Sequence, residues 1–119
     1  MTETMKRYFA LLITVLVIGL PAKAQEPLTP EVNRMIEYLM LADEAGLNVP
    51  LYIMELSDQL AMLSLTNKMN KEIMEQGAAA AELYAHPLVC MNYAACLMKQ
   101  QKYGSALHYL NKAWKQDTQ

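Results

Sequence analysis

The sequence has little of the material that most catalytic and nucleic-acid chemistry requires. Its four glycines stand isolated from one another, so no glycine-rich phosphate-binding loop is present. The two histidines, His86 and His108, are not spaced as a metal-binding pair, and neither stands in a recognisable nucleophile setting. Lys and Arg number 10 against 12 acidic residues, which leaves no basic patch for nucleic acid. These shortages predict a protein that is not an enzyme and uses no cofactor or metal ion.

Cysteine is also scarce, and its spacing limits what it can do. Cys90 and Cys96 are the two cysteines, and both fall on one predicted helix. Six residues of helical rise separate their Cα atoms by about 9 Å, whereas a disulfide needs less than about 7 Å. They therefore cannot bond to each other while that helix is intact. We interpret both as small buried apolar side chains; pairing with another molecule is the alternative.

No stretch shows the alternating pattern of a β-strand, and the densest group of Val and Ile lies near the N-terminus. There Lys6 and Arg7 precede an uncharged run over residues 8–20, and Ala22-Lys23-Ala24 provides the small-x-small pattern of a cleavage site. The run is shorter than the roughly 20 apolar residues of a membrane-spanning helix. We predict a signal peptide over residues 1–24, export to the periplasm or beyond, and no membrane span after cleavage. Residues 25–119 then form one helical domain.

Residues that favour helix starts and helix ends divide this domain into four or five helices. Thr29-Pro30-Glu31 predicts a helix start and Gly46 its C-terminal cap. Pro50 opens a second helix, whose inner face is Ile53, Leu56, Leu60 and Leu63. Thr66-Asn67 predicts a break before a third segment, although one long helix over residues 50–85 is the alternative. The run of small residues at 77–81 predicts a close helix–helix approach. His86-Pro87 ends that segment, and a final helix pair covers about 87–100 and 104–116.

This final pair carries a recognisable pattern of large and small residues. Its members are Tyr93-Ala94 and Leu97 on the first helix, Tyr103 at the turn, and Ala106, Leu110 and Ala113 on the second. The small residues suit a helix crossing, and the larger ones fill the space around it. Over about 87–118 the pair resembles a tetratricopeptide repeat, with Cys90 and Thr118 departing from the family pattern. A fainter copy lies upstream, where Leu60-Ala61 stands opposite Tyr93-Ala94. The resemblance implies an all-α fold of antiparallel helical hairpins stacked as a short array.

The resemblance also implies where a partner binds. Ligands of such repeats lie in the groove lined by the first helix of each pair. In this chain the groove-facing positions are Leu88, Met91, Asn92, Ala95 and Met98, with Lys99 at the lip. Asn92 stands out because an amide can pair with an extended peptide backbone, although it is equally an ordinary exposed polar residue. Stacking normally needs three or more repeats, so a short array can complete itself by association with another protein.

Methionine is abundant, and it raises an alternative function. Thioether and thiolate ligands suit Cu(I), so an exported copper or thiol-redox carrier is conceivable. However, the methionines after residue 24 are scattered, and most fall near apolar stripes. We expect them, and Trp114, to pack inward.

Charge is distributed unevenly along the domain. Acidic residues dominate residues 25–82, and lysines dominate residues 83–119. The asymmetry is compatible with head-to-tail self-association, although solvated helix faces are the ordinary explanation.

The sequence therefore predicts an exported, non-catalytic helical adaptor that binds a protein or peptide partner in the bacterial cell envelope. A metal or thiol carrier and a structural fragment of a longer helical array are the alternatives.

Overall fold

The computed structural model describes Arg7, residues 28–66 and residues 68–118, and within this part it is all-helical, without strands. Five helices follow residue 28, as the sequence predicts. We number them α1 (Pro30–Glu44), α2 (Val49–Ser64), α3 (Lys71–Tyr84), α4 (Pro87–Lys99) and α5 (Tyr103–Thr118). The predicted signal peptide, apart from Arg7, lies outside the described residues. None of the described helices is both long enough and apolar enough to cross a membrane.

Side-chain caps fix the starts of the helices. The Thr29 hydroxyl accepts a hydrogen bond from the backbone N–H of Val32 at 3.2 Å, which confirms the predicted start of α1. Asn48 accepts from the N–H of Leu51 in the same way, so α2 begins one residue before Pro50. The cap residue, rather than the proline, therefore sets the first turn of α2.

Gly46 ends α1 as predicted, because its backbone is left-handed, with φ at +77°. Its N–H donates to the carbonyl of Asp43, and the N–H of Leu47 donates to that of Ala42, each at 3.1 Å. These two bonds form a Schellman motif, a common helix ending that glycine favours.

The chain also breaks where Thr66-Asn67 predicts a break. α2 ends at Ser64 and α3 begins at Lys71, which excludes a single helix over residues 50–85. The Thr66 hydroxyl lies 3.1 Å from the carbonyl oxygens of both Leu63 and Lys68, and so holds the chain in a turn. At the other end of α3, Ala85 adopts a left-handed backbone with φ at 49°. The direction of the chain therefore reverses before α4.

The helices pack both with their sequence neighbours and with the helix two along. α1 packs on α3, and α2 packs on α4, while α3 contacts both α2 and α4. Asn92 and Cys96 of α4 contact Ser57 and Leu60 of α2 in the same order, so α2 and α4 run parallel. The order is reversed between α3 and α4, which are antiparallel. This packing is compatible with an array of stacked helical hairpins.

The predicted close approach lies at the small residues of α3. Residues 77–81 are all buried. A Cβ atom placed on Gly77 would lie 2.9 Å from Leu60 Cδ2 and 3.1 Å from Tyr93 Cδ1, so α3 fits between α2 and α4 only because this position lacks a side chain. The predicted inner face of α2 is also confirmed, since Ile53, Leu56, Leu60 and Leu63 are all buried.

The residues that carry the repeat pattern in α4 and α5 are buried, with one exception. Tyr93, Ala94, Leu97, Ala106, Leu110 and Ala113 belong to the core. Tyr103 is the exception, because it is 36% exposed at the first turn of α5. Trp114 packs against the core while half-buried, so the prediction that it turns inward holds.

Candidate partner-binding surface

The predicted groove residues lie on a single helix, but they do not all have the same environment. Leu88, Met91, Ala95 and Met98 are spaced three, four and three residues apart, which places them along one side of α4. We call these residues the α4 stripe. Leu88 is 45% exposed, and the other members are half-buried. An open groove of about 470 Å³ runs over the C-terminal part of the stripe. Its lining is Ser64, Leu65, Met91, Asn92, Ala95, Met98, Lys99 and Leu110.

Asn92 is bound within the protein through its amide nitrogen. Its Nδ2 donates to the backbone carbonyl of Ser57 at 3.2 Å and so connects α4 to α2. The side chain is half-buried at this helix contact. One of the two N–H donors of the amide is therefore used internally, and a partner backbone at this position would be recognised through the other N–H or through Oδ1. Asn92 therefore has a structural role that the sequence did not indicate.

Lys99 lies at the lip of the groove, at the end of α4. Its Nζ donates to the carbonyl of Thr66 at 2.7 Å, beyond the C-terminus of α2. The lysine is exposed, and its positive charge lies beside carbonyl groups at the negative end of the α2 dipole. It therefore joins α2 to α4 while presenting charge at the rim.

A second apolar stripe, which the sequence analysis missed, lies on the outer side of α2. It consists of Leu51, Met54, Met62 and Leu65, which are 52%, 65%, 63% and 79% exposed. We call these residues the α2 stripe. Asp58 is exposed between Met54 and Met62, four residues from each, so the outer side of α2 carries these apolar residues around one carboxylate. The sequence already contained a sign of this second group, because these apolar residues do not fit the helical spacing of the inner-face positions of α2.

The α2 stripe also shows that the prediction of inward-packing methionines is wrong in part. Met54 and Met62 are exposed, and Met40 on α1 is 49% exposed. The others, Met35, Met69, Met74, Met91 and Met98, are half-buried against the core. The reason is that none of the described helices covers the outer side of α2, so Met54 and Met62 remain in solvent.

Both cysteines are free and buried, which confirms their interpretation as small buried side chains. The Sγ of Cys96 lies 3.2 Å from the carbonyl of Leu60, and that of Cys90 lies 3.9 Å from the carbonyl of Ala81. Burial raises the pKa of the Cys90 thiol to about 12 and that of Cys96 to about 11. Both groups are therefore protonated thiols at neutral pH, and a thiol is a poor nucleophile and metal ligand.

A polar cluster joins α3 to α5. Glu82 accepts a hydrogen bond from the Tyr109 hydroxyl at 2.7 Å and from Lys112 Nζ at 3.1 Å. His108 Nε2 lies 3.9 Å from the same carboxylate. Burial raises the pKa of Glu82, but the hydrogen bonds from Tyr109 and Lys112 lower it more, so the pKa lies below its usual value. The cluster holds α3 against α5, and no spacing of these residues in the sequence indicated it.

A smaller cleft of about 310 Å³ lies beside the start of α1. Its floor includes Val32, Ala78 and Leu97, and Lys71 and Glu75 stand at its rim as an ion pair with an N–O distance of 3.8 Å. Among the described residues, no group of three or more His, Cys, Asp or Glu side chains is arranged to hold a metal ion.

No protein-family model, curated protein or solved structure matches this chain. The tetratricopeptide-like character of the last two helices therefore stays a prediction from the sequence. The function has to be inferred from the surfaces that α2 and α4 leave exposed.

Proposed function

We propose that the protein is an exported, non-catalytic helical adaptor that binds a protein partner in the bacterial cell envelope through the α4 stripe. The observation that carries the proposal is the partly exposed apolar side of α4, with its groove of about 470 Å³. An exposed apolar surface of this kind is a typical protein-interaction site.

The shape and composition of the surface suit a helical segment of a partner. The α4 stripe follows a spacing of three and four residues, which matches the spacing of anchor residues on one face of an amphipathic helix. Met91 and Met98 are unbranched, so they adapt to the contour of an incoming side chain. Lys99 adds a polar rim, where contacts set orientation rather than most of the affinity.

The state of the cysteines supports a binding role rather than a thiol-redox or copper-carrier role. A carrier needs an accessible thiolate, whereas the Cys90 and Cys96 sulfurs are buried and their pKa values are raised. Titration with Cu(I) distinguishes the two functions. A carrier would take up the ion stoichiometrically, with a change in the sulfur absorption bands, whereas the adaptor would not.

The adaptor proposal is tested by capture with matched variants. The chain, processed as its producing cell delivers it, is immobilised and exposed to envelope extract, and the bound proteins are identified by mass spectrometry. Wild type is compared with the double variant Met91→Glu/Met98→Glu, which places carboxylates on the α4 stripe. Met40→Glu serves as the control, because Met40 is an exposed methionine that lies on α1.

We expect one partner that binds wild type and the control and is lost from the double variant. The circular dichroism of all three proteins should stay helical, which shows that the loss is local. Equal capture by all three proteins, or no specific capture by wild type, would contradict the proposal. Asn92 is unsuitable as the first probe, because its replacement also disturbs the contact between α2 and α4.

A further inference from the structure

We infer that the groove along α4 binds a partner helix of mixed charge, which places an acidic residue against Lys99 and a basic residue against Asp58. This inference rests on the proposed function, since it names the chemistry of the partner at the same site. The two charges lie at different levels of the groove, so they also set the direction in which the partner helix lies.

The groove has a second wall, which α2 provides. Ser64 and Leu65, at the C-terminal end of α2, line the groove together with the last three residues of the α4 stripe. α2 and α4 lie side by side and run parallel, so equivalent levels of the two helices face each other along the groove. A helix placed in the groove therefore contacts both α2 and α4.

Lys99 supplies positive charge on the α4 wall. Among the described residues that line the groove, it alone is charged. Its Nζ donates one hydrogen bond to the carbonyl of Thr66, and a lysine ammonium has three N–H groups, so two remain for a partner carboxylate. Residues 83–116 contain no acidic residue that would compete for Lys99 from α4 or from most of α5.

Asp58 supplies negative charge on the α2 wall. It precedes Leu65 by seven residues, or about two turns, so both residues lie on the same side of α2. Its neighbour Ser57 accepts the hydrogen bond from Asn92, which places Asp58 at the level of Asn92. The carboxylate also borders a shallow depression beside Met62, so it stands on the crest of α2. It is exposed, and none of the ion pairs between described residues includes it.

The separation of the two charges defines the partner. Lys99 follows Asn92 by seven residues, so Lys99 and Asp58 lie about 10 Å apart along the groove. A partner helix matches this separation with an acidic and a basic residue seven positions apart, because such residues lie on one side of a helix. If the acidic residue comes first in the partner, the helix lies antiparallel to α4, and if the basic residue comes first, it lies parallel. The reversed direction would bring like charges together.

The apolar contacts and the two charges contribute differently to binding. Burial of the Leu and Met side chains supplies most of the affinity, because association is driven by the apolar area removed from water. Asp58 and Lys99 are exposed, and an exposed ion pair adds little. We therefore expect the charges to change affinity several-fold and to decide the direction of the partner.

The test uses synthetic peptides as probes. Each is an acetylated and amidated peptide of about 18 residues, long enough to hold some helix in isolation, with Leu at the three- and four-residue steps of the α4 stripe. One peptide carries Glu first and Lys seven positions later beside the Leu residues. Two others carry Lys at both positions or Glu at both, and a fourth has proline at the centre of the Glu-Lys peptide, which interrupts the helix. Methyl NMR of labelled methionines measures binding to the processed chain.

We expect the Glu-Lys peptide to bind wild type most tightly. The Lys-Lys peptide should bind about threefold to fivefold more weakly and should recover in Lys99→Glu, because the second lysine then meets a carboxylate. The Glu-Glu peptide should be weakened to a similar degree and should recover in Asp58→Lys. This crossed recovery requires a folded groove, so it cannot arise from variants that have lost their structure.

Matched controls and a spin label complete the experiment. Asp43→Lys on α1 and Lys115→Glu on α5 make the same charge changes at exposed positions away from the groove, and they should leave the affinities unchanged. A nitroxide on the N-terminus of the Glu-Lys peptide should broaden the methyl signal of Met98 more than that of Met54. That difference reports an antiparallel helix, with its acidic end at Lys99.

Three results would overturn the inference. One is that no peptide binds at up to about 1 mM, where even contacts of about 4 kcal/mol are detected. Another is equal affinity of wild type for the three charge patterns. The third is equal binding of the proline peptide, which would show that the groove takes a segment that is not helical.

The outcome also separates this inference from the adaptor function. If capture of an envelope protein depends on Met91 and Met98 but is unchanged in Asp58→Lys and in Lys99→Glu, the adaptor function stands and the charge inference fails. If the peptides follow the charge pattern but wild type captures nothing from the envelope, the chemistry of the groove stands and the envelope function fails.

Discussion

At the scale of single residues, Gly77 is the position where the packing leaves least room. A side chain there meets Leu60 and Tyr93, both of which are buried. We expect Gly77→Val to lower the free energy of unfolding by about 2–3 kcal/mol, because overpacking exceeds any gain in helix propensity. Urea denaturation measures this loss. Ala42→Val on α1 adds the same side chain at a half-buried position and should cost less than about 1 kcal/mol; equal losses in the two variants would contradict the assignment.

Asn92 provides a second test at the residue scale. We expect Asn92→Ala to lower the free energy of unfolding by about 1 kcal/mol, since it removes the hydrogen bond to the carbonyl of Ser57. Asn111→Ala, on the exposed side of α5, is the control and should change stability by less than about 0.5 kcal/mol. Thermal melting compares the two variants. An unchanged stability in Asn92→Ala would show that the amide does not hold α4 to α2.

At the scale of the helices, Glu82 connects α3 to α5 in a pH-dependent way. The carboxyl has a pKa below its usual 4.5 when folded, so the unfolded chain takes up a proton at higher pH than the folded chain. The stability from this group is therefore fully present above about pH 4.5 and is lost as the pH falls through the lower folded pKa. Acid should loosen the contact between α3 and α5.

The corresponding measurement is urea unfolding at about pH 6 and about pH 3. We expect Glu82→Gln to lower the free energy of unfolding by about 1–2 kcal/mol at the higher pH, because the hydrogen bonds from Tyr109 and Lys112 to a charged acceptor are weakened. The loss on acidification should also be smaller in the variant than in wild type. Glu37→Gln, on the exposed side of α1, should behave like wild type. A Glu82→Gln profile parallel to that of wild type would refute the link.

At the scale of the whole molecule, the first question is processing of the N-terminus. Cleavage after Ala24 predicts an exported product that begins at Gln25, and intact-mass spectrometry of the exported fraction reads its start directly. Ala24→Leu should block processing, because the peptidase needs a small residue there, whereas Lys23→Ala should be processed normally. A full-length product that stays in the membrane in all three forms would show that the segment is not a cleaved signal.

Local chemistry in the sequence was enough to predict most of the fold. Thr29, Gly46 and His86-Pro87 act on their own backbone neighbours, so the helix starts and ends that they indicate are confirmed. The inner face of α2 was also predictable, because residues spaced three or four positions apart lie on the same side of a helix. The candidate surface was predicted in part, since the α4 stripe was expected and the α2 stripe was not.

The parts that were not predictable depend on which helices meet. Periodicity identifies an apolar side, but it does not say whether another helix covers it, and so Met54 and Met62 were expected inside and lie outside. In the same way, the positions of Asn92 and Ser57 in the sequence do not indicate that their helices are in contact. The hydrogen bond between Tyr109 and Glu82 also joins residues that are far apart in the chain.

The sequence by itself determined the helical class, most of the helix ends and the small-residue contact at residues 77–81, because each of these is set by neighbours along the chain or by the period of a helix. Only the tertiary structure decided that Met54 and Met62 remain exposed on the outer side of α2, that the amide of Asn92 donates to the carbonyl of Ser57, and that Glu82 joins α3 to α5. The physical reason is that burial and hydrogen-bond partners belong to contacts between helices, and these are fixed only when the helices pack.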